Sequence, residues 1–459
     1  MAAVALVAIV AAALGIGVDA LPGERLAVDE PQYWFTALSL AQDGDPDLAD
    51  ELAEHRWRQF TDVAPPVETV VQDDGRQISP HDPLLPLLLA APVALGGWVG
   101  AKLTLALLAG ALAAATVWTA VRRFGVPVTL GAGGVAVAAA SAPLAVYGQQ
   151  LYPELPAALA CLLGVAALTT ALPPGIARRP QLALLTAAVV ALPWLSVKYT
   201  LVAAVLAGLA ARRWWCAGWR REVVGLGAGL ALAAAGYLTV HRAVWGGWTV
   251  YASGDHFQRI GEFAVVGVDP NYLDRTWRLV GLLVDRDFGL AAWQPGWLLV
   301  VPALAALLVA SRRGTGPSAL IALVLPLLAG WLVATFLALT MHGWWWPGRQ
   351  TVVVLPLALL VVLSWIARSS PAVRAAGAAL GLAGVSTYAA LLIDGHAGKI
   401  VWVNGYTQVH APIYQALRPL LPANGNEAGH LIWAVLLGLV AVAAGRAARS
   451  RAATAGALR

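Results

Sequence analysis

The 459-residue sequence predicts an all-α polytopic membrane protein of about twelve transmembrane helices, and three observations carry that prediction. Hydrophobic residues make up 59% of the chain and charged residues only 12%, where soluble domains carry roughly 25% charged residues. Apolar segments close to twenty residues long recur from end to end, the length a helix needs to cross a hydrocarbon core. Arginines and acids are also sorted into alternate loops, which is a topology signal.

The apolar segments run over 1–18, 101–121, 128–148, 154–172, 181–195, 197–211, 223–243, 289–310, 317–341, 350–367, 375–393 and 430–445. The first lacks the basic start of a signal peptide and is read as a retained span. Short basic loops follow alternate segments: Arg122–Arg123, Arg178–Arg179, Arg212–Arg221, Arg312–Arg313 and Arg368–Arg374. The tail adds Arg446, Arg449, Arg451 and Arg459. These arginines belong in the cytoplasm, which places both termini there. Of the 25 acids, only Glu222 falls in a basic loop. The stretch from Arg179 to Arg212 has basic residues at both ends, so it is expected to be a hairpin of two short helices turning near Lys198. Segment 84–98, after Pro83, is too short to span without breaking the arginine pattern. It is expected to be an interfacial helix feeding the next span. No internal repeat is evident, which argues against transporters built from paired halves.

Chain 1–459 thus reads as a single transmembrane domain with three long extracytoplasmic loops, 19–83, 246–288 and 396–429. Loops of that length are usually functional. The first carries fifteen acids, from Asp19 to Asp82. The net charge of +5 is distributed by loop rather than gathered on one face, so nucleic acid is not an expected partner. Cys161 lies in an apolar segment and Cys216 in a basic loop, at different depths, which makes a disulfide or metal site from this pair implausible. A composition rich in Ala, Val, Leu, Arg and Gly suggests a GC-rich bacterial source.

Several polar groups stand out on the outer side. Asp29-Glu30-Pro31-Gln32-Tyr33 lies about ten residues beyond the first span, and Ser79-Pro80-His81-Asp82-Pro83-Leu84 closes the same loop. Tyr152-Pro153-Glu154 sits at the mouth of the fourth span, where an acid also suits a helix N-terminus. Lys198-Tyr199 marks the hairpin turn. His342-Gly-Trp-Trp-Trp-Pro347-Gly348-Arg349 precedes a span that contains Pro356.

In their order and membrane side, these motifs resemble the GT-C superfamily of membrane glycosyltransferases, and most closely its protein O-mannosyltransferase and aminoarabinose-transferase branch. The resemblance covers the N-terminal half through motifs and the C-terminal half through topology and the Arg349 turn. It implies a GT-C-like fold and an inverting enzyme of the bacterial plasma membrane with its active site outside. Such an enzyme moves a sugar such as mannose or arabinose from a polyprenyl phosphate to a glycan, lipid or protein acceptor. It also implies Asp29 as general base, with Glu30 supporting it. Lys198 and Arg349 would stabilise the leaving phosphate, helped by His81 or His342. Tyr33, Tyr152, Glu154 and Tyr199 are the accompanying substrate-binding candidates. Related enzymes include some that use a divalent cation, so Mg or Mn on Asp29, Glu30 and Glu154 is a possible cofactor; no metal site is assigned.

Each candidate has a second reading. Lys198 could serve only as a snorkelling interfacial lysine, and Arg349 as a partner of lipid headgroups. Trp344, Trp345 and Trp346 suit an aromatic belt or the floor of a sugar or prenyl site. Asp82 stands where relatives often carry a second proline, which leaves the role of His81 open. No large extracytoplasmic domain follows the spans, so acceptor contacts are expected from the outer loops. Their candidates are Tyr251, Asp255, His256, Arg259, Asp285, Arg286, Asp287, Asn404, Tyr406 and His410. Two other function classes compete. A flippase or secondary transporter for a lipid-linked substrate would place ionisable groups near mid-bilayer, and a membrane scaffold would need no acid–cation set. A single reaction centre requires Asp29, Lys198 and Arg349 to line one cavity.

Overall fold

The structure, a computed structural model, describes residues 1–66, 68–69, 71–170, 179–253, 266–267, 270–313 and 319–457. Arg178, Asp255, His256 and Arg259 lie outside the described residues. Among those described there are helices and isolated bridges but no strand. In chain order the first helices are α1 (Ala2–Leu14), α2 (Glu30–Gln42), α3 (Ala49–Ala53), α4 (Leu84–Phe124), α5 (Val128–Ala139), α6 (Leu144–Tyr147) and α7 (Glu154–Thr169). Then come α8 (Arg179–Leu195), α9 (Thr200–Cys216), α10 (Arg220–Val244), α11 (Tyr272–Arg275), α12 (Arg278–Val284) and α13 (Leu290–Trp293). The last are α14 (Val300–Arg312), α15 (Leu320–Leu332), α16 (Leu355–Ile366), α17 (Pro371–His396), α18 (Pro412–Leu417) and α19 (Glu427–Ala457).

Every predicted apolar segment holds a helix. Among the described residues seven helical stretches are long and apolar enough to cross a membrane: Leu84–Phe124, Arg220–Val244, Pro295–Arg312, Leu320–Leu337, Arg349–Ile366, Pro371–His396 and Glu427–Arg451. The expected hairpin forms: α8 and α9 are 17 residues each, pack together, and turn through Ser196 and a 3-10 turn at Val197–Tyr199. At 1.5 Å per residue each measures only roughly 25 Å.

Burial separates centre from periphery. Every residue of α16 is buried, whereas α10 buries only Leu226 and His241. An apolar helix with an exposed apolar surface is suited to lipid. Around α16 pack α14, α15, α4 and α7, and α1 lies on α4.

The segment expected to be interfacial is distinct from the span that follows it. Within α4 the backbone leaves helical geometry at Gly96 and at Gly97, whose φ of 55° and ψ of −144° suit glycine alone. The 84–95 arm keeps Leu87, Leu88 and Leu95 exposed. By contrast α2 is enclosed, not interfacial, with every residue from Glu30 to Ser39 buried. Its apolar residues alone cannot explain this, because Glu30 and Gln32 are buried with them. The helix is held over α4, with Glu30 accepting from the Ala27 and Leu151 backbone and Gln32 Nε2 donating to the Pro66 carbonyl.

The ends of the bundle differ as the charge sorting requires. At one end Arg451 of α19 donates to the Arg368 carbonyl beyond α16, and Arg213 of α9 to the Thr170 carbonyl beyond α7. At the other, the first loop closes over the helices. Arg56 gathers Asp43, Asp50, Glu51 and Glu54 within 3.3 Å, which disposes of four of its acids.

Candidate active site

Four chain segments meet at the acidic end: the start of α2, the start of α7, the α8–α9 turn and the turn into α16. Asp29 occupies the N-cap position of α2, with Pro31 in the first turn. Val28, just before it, has φ of 59°. A β-branched residue in the left-handed region is costly, typically ~1–3 kcal/mol, and such outliers gather at functional sites. Arg349 follows Gly348, whose φ is 81° and where a Cβ would come within 2.8 Å of Leu290 Cδ2. Only glycine fits that turn.

These segments set a chain of alternating charge. Arg349 donates from Nη2 to Asp29 Oδ2 at 2.7 Å and from Nε to Glu154 Oε1 at 3.0 Å. Lys198 Nζ donates to the same Glu154 oxygen at 2.9 Å and to Gln350 Oε1 at 3.1 Å. The Arg349 guanidinium also lies 4.0 Å from the Tyr152 ring centroid and 5.1 Å from that of Trp345. Lys198 and Arg349 are therefore held by one shared partner. Glu154 is wholly buried and binds both.

His81 completes the edge. Its Nε2 is 3.8 Å from Asp29 Oδ2, Nδ1 pairs with Ser79 Oγ, and the ring packs on Tyr33 at 4.5 Å. Burial alone would raise the Asp29 carboxyl, but Arg349 and His81 outweigh it and hold the group well below the usual carboxylate range. Burial pulls the Lys198 ammonium below its usual value despite Glu154.

Asp29, His81, Lys198, Arg349 and Gln350 line one cavity of about 560 Å³. Its other walls are largely apolar, including Val28, Pro65, Pro66, Leu339, Trp344 and Trp345. The requirement that the acid and both cations share one cavity is met.

Other expectations change. Glu30 is turned away from the cavity. Its Oε1 accepts from the Leu151 backbone at 2.9 Å, and it lies 3.8 Å from the buried Lys102. It therefore fixes the turn before α7 instead of facing substrate. Tyr33, Tyr152, Glu154 and Tyr199 form a second layer behind the lining, all buried. His342 points to Asp285, 3.4 Å away, and lines a different cavity, so it is not beside Lys198 and Arg349. The three tryptophans separate: Trp344 is exposed and Trp345 lines the cavity, while Trp346 is buried against Trp293, Trp402 and Tyr406.

The outer-loop candidates also divide. Tyr251 reaches the cavity, but Asp285 caps the backbone of Asp287 and Phe288. Arg286 donates to the Leu421 carbonyl, Asp287 binds Arg418, Asn404 accepts from Gly405, and His410 pairs with Asp394. Tyr406 is buried among aromatic rings.

The roles of three residues escaped the sequence reading. Lys102 in α4 pairs with Glu30 and donates to Gln149 at 3.1 Å. Asp82 accepts from the Val197 backbone at 2.9 Å, from the Tyr237 hydroxyl at 2.9 Å and pairs with His241 Nε2 at 3.2 Å. It ties the His81 motif to the Lys198 turn. Glu68 joins the cavity wall. The acids first considered for a cation do not assemble, because Glu30 and Glu154 are committed to separate cations. Asp29, Glu68 and His81 do, with ligand atoms within 4.8 Å of one another, and could hold Mg or Mn.

No protein-family model matches the sequence, and no curated protein does. Two solved structures share the fold. One is ArnT from Cupriavidus metallidurans bound to undecaprenyl phosphate, with TM-score 0.51 and 16% identity over 97% of this chain and 78% of that one. The other is the same protein in the apo state, with TM-score 0.51 and 16% identity over 95% and 70%. The chain shares the fold of ArnT.

Proposed function

We propose that this protein is a glycosyltransferase that moves a sugar such as mannose or arabinose from a polyprenyl phosphate to a hydroxyl of a cell-envelope acceptor. It works on the outer face of a bacterial plasma membrane, with both termini in the cytoplasm. The observation that carries this reading is the placement of Asp29, with Glu24 and Glu68, and the two cations Lys198 and Arg349 on the wall of a single cavity whose remaining lining is largely apolar. An apolar wall suits a prenyl chain and the cations suit its phosphate. The shared fold supports the reading, since ArnT was crystallised with undecaprenyl phosphate.

The chemistry follows from where charge moves. The acceptor oxygen attacks the anomeric carbon opposite the phosphate, the bond to phosphate oxygen breaks, and the configuration inverts. The acceptor proton passes to Asp29. The departing phosphate gains charge beside Lys198 and Arg349, which bind it more strongly as it leaves.

In the unliganded protein Asp29 is a weak base because Arg349 holds it. An arriving phosphate competes for that guanidinium, loosens the pair and makes the carboxylate more basic when donor is present. Should transfer depend on a divalent cation, Asp29, Glu68 and His81 are the residues we assign to it, and activity would fall with EDTA and return with Mg or Mn.

A flippase would instead need charged groups along a path through the bilayer. Here the set sits where outer helix ends converge. The deciding experiment supplies purified protein in proteoliposomes with a panel of undecaprenyl-phosphate sugars and native envelope extract. Release of undecaprenyl phosphate with sugar on the acceptor is expected. Movement of intact donor between leaflets without cleavage would overturn the proposal.

A further inference from the structure

A second cavity, of about 550 Å³, lies beyond the segment 338–342, with Thr340 lining both. Its walls come from α11, α12 and the outer end of α19, and include Arg275, Trp277, Arg278, His342, Glu427 and His430. A third cavity, apolar and about 360 Å³, is lined by Leu279, Leu283, Val301, Trp331, Leu437 and Gly438 among others. The two share α12 and α19. Along α19 the polar cavity uses Glu427 and His430 and the apolar one uses Ala434, Leu437 and Gly438. Steps of three and four residues put all five on one helix face. His430 and Ala434 are only about 6 Å apart along the axis.

The cavity also holds the carboxylates of Asp274 and Glu427, but its two arginines are held by backbone carbonyls. Arg275 donates to the carbonyls of Phe336, Val266 and Leu339, and Arg278 to those of Thr335, Ala338 and Leu339. Neither forms an ion pair among the described residues. Burial and the nearby Arg275 bring Arg278 down to about 10. A guanidinium has five N–H groups, so each arginine keeps two for a ligand.

We infer that the two cavities form one binding site for a second lipid, whose head carries a phosphate and hydroxyls and whose chain lies in the apolar groove. The phosphate meets Arg275 and Arg278, Trp277, Glu427 and His430 suit a hydroxylated ring, and α19 carries the site from head to chain. The inference goes beyond the proposed transfer reaction and rests on it in one respect: the donor phosphate is assigned to Lys198 and Arg349 across the Thr340 wall.

The test uses the full chain in phosphatidylcholine nanodiscs. The probe is phosphatidylinositol with a diazirine in its acyl chain, and the control is phosphatidylcholine with the same diazirine. Saturable labelling of α12, α14 and α19 around Leu279–Leu283, Val300–Leu304 and Ala434–Gly438 is expected, about tenfold above the control. A Cβ at Gly438 meets nothing within 4 Å, so the helix accepts a side chain there, and Gly438→Phe is chosen to fill the groove. It should abolish that labelling. Arg275→Gln with Arg278→Gln should erase the preference over phosphatidylcholine while leaving labelling of the groove. Equal labelling by both lipids in the wild type would overturn head-group recognition. Displacement by excess undecaprenyl phosphate would overturn the assignment of a second lipid and give the groove to the donor chain. Binding of undecaprenyl phosphate is read in parallel, wild type against Arg349→Ala. Failure of the phosphatidylinositol probe with that binding intact defeats this inference alone, whereas loss of Arg349-dependent binding defeats the donor reading.

Discussion

Arg349 and Asp29 are 320 positions apart in the chain and meet at 2.7 Å. The same guanidinium reaches Glu154 at 3.0 Å, so one side chain joins the first long loop, the mouth of α7 and the turn into α16. The contact binds two of the three proposed reacting groups to each other before any substrate arrives, and several consequences can be measured.

Asp29→Asn keeps the size and most of the contacts of the carboxylate but cannot accept the acceptor proton. Transfer from an undecaprenyl-phosphate sugar should fall by roughly 10²–10⁴-fold, with undecaprenyl phosphate still bound. Turnover at the wild-type rate in reconstituted protein would remove Asp29 as the base.

Arg349→Gln should damage donor use more than acceptor use, with KM for donor rising and kcat falling. It should also change the pH profile. In the wild type Arg349 and His81 hold Asp29 well below its usual value, so Asp29 stays ionised and contributes no acid limb near neutrality. Without Arg349 the effect of burial dominates and the carboxyl moves up. Activity should then decline as pH falls through the raised value. A variant profile superimposable on the wild type would show that the pair does not control Asp29.

Lys102 and Glu30 are both fully buried. Removing one partner strands a charge, so Lys102→Met should cost about 3–5 kcal/mol, read as a lower unfolding temperature in detergent. Adding Glu30→Gln should recover much of the loss, because the amide oxygen still accepts from Leu151. If the double variant is no more stable than Lys102→Met, the two groups do not act as a pair.

Asp82→Asn should disturb transfer without touching substrate. Asp82 holds the Val197 backbone, next to Lys198, and sits next to His81. A small displacement of these groups is expected to lower kcat/KM by roughly ten- to a hundredfold, chiefly through the KM for donor. A change in unfolding temperature with unaltered kinetics would make Asp82 a purely structural tie.

By itself the sequence determined that the chain is built from apolar helices and where along the chain they lie. Hydrocarbon demands long apolar helices; that demand is written locally, so a helix in each apolar segment, the α8–α9 hairpin and the distinct arm before the α4 span were legible. Asp29, Lys198 and Arg349 were legible too, because charge at the ends of apolar segments needs a reason. The tertiary structure alone decided which neighbours face the cavity. Glu30 follows Asp29 directly, yet the helix turn at α2 sends the two carboxylates to different partners, Arg349 and Lys102. Tyr152 and Glu154 became a supporting layer, His342 went to Asp285, and Asp82 found its partners on α8–α9 and α10. Periodicity and charge sorting fix where a residue sits along its helix. Which groups touch depends on how helices distant in sequence pack together, and no local pattern encodes that.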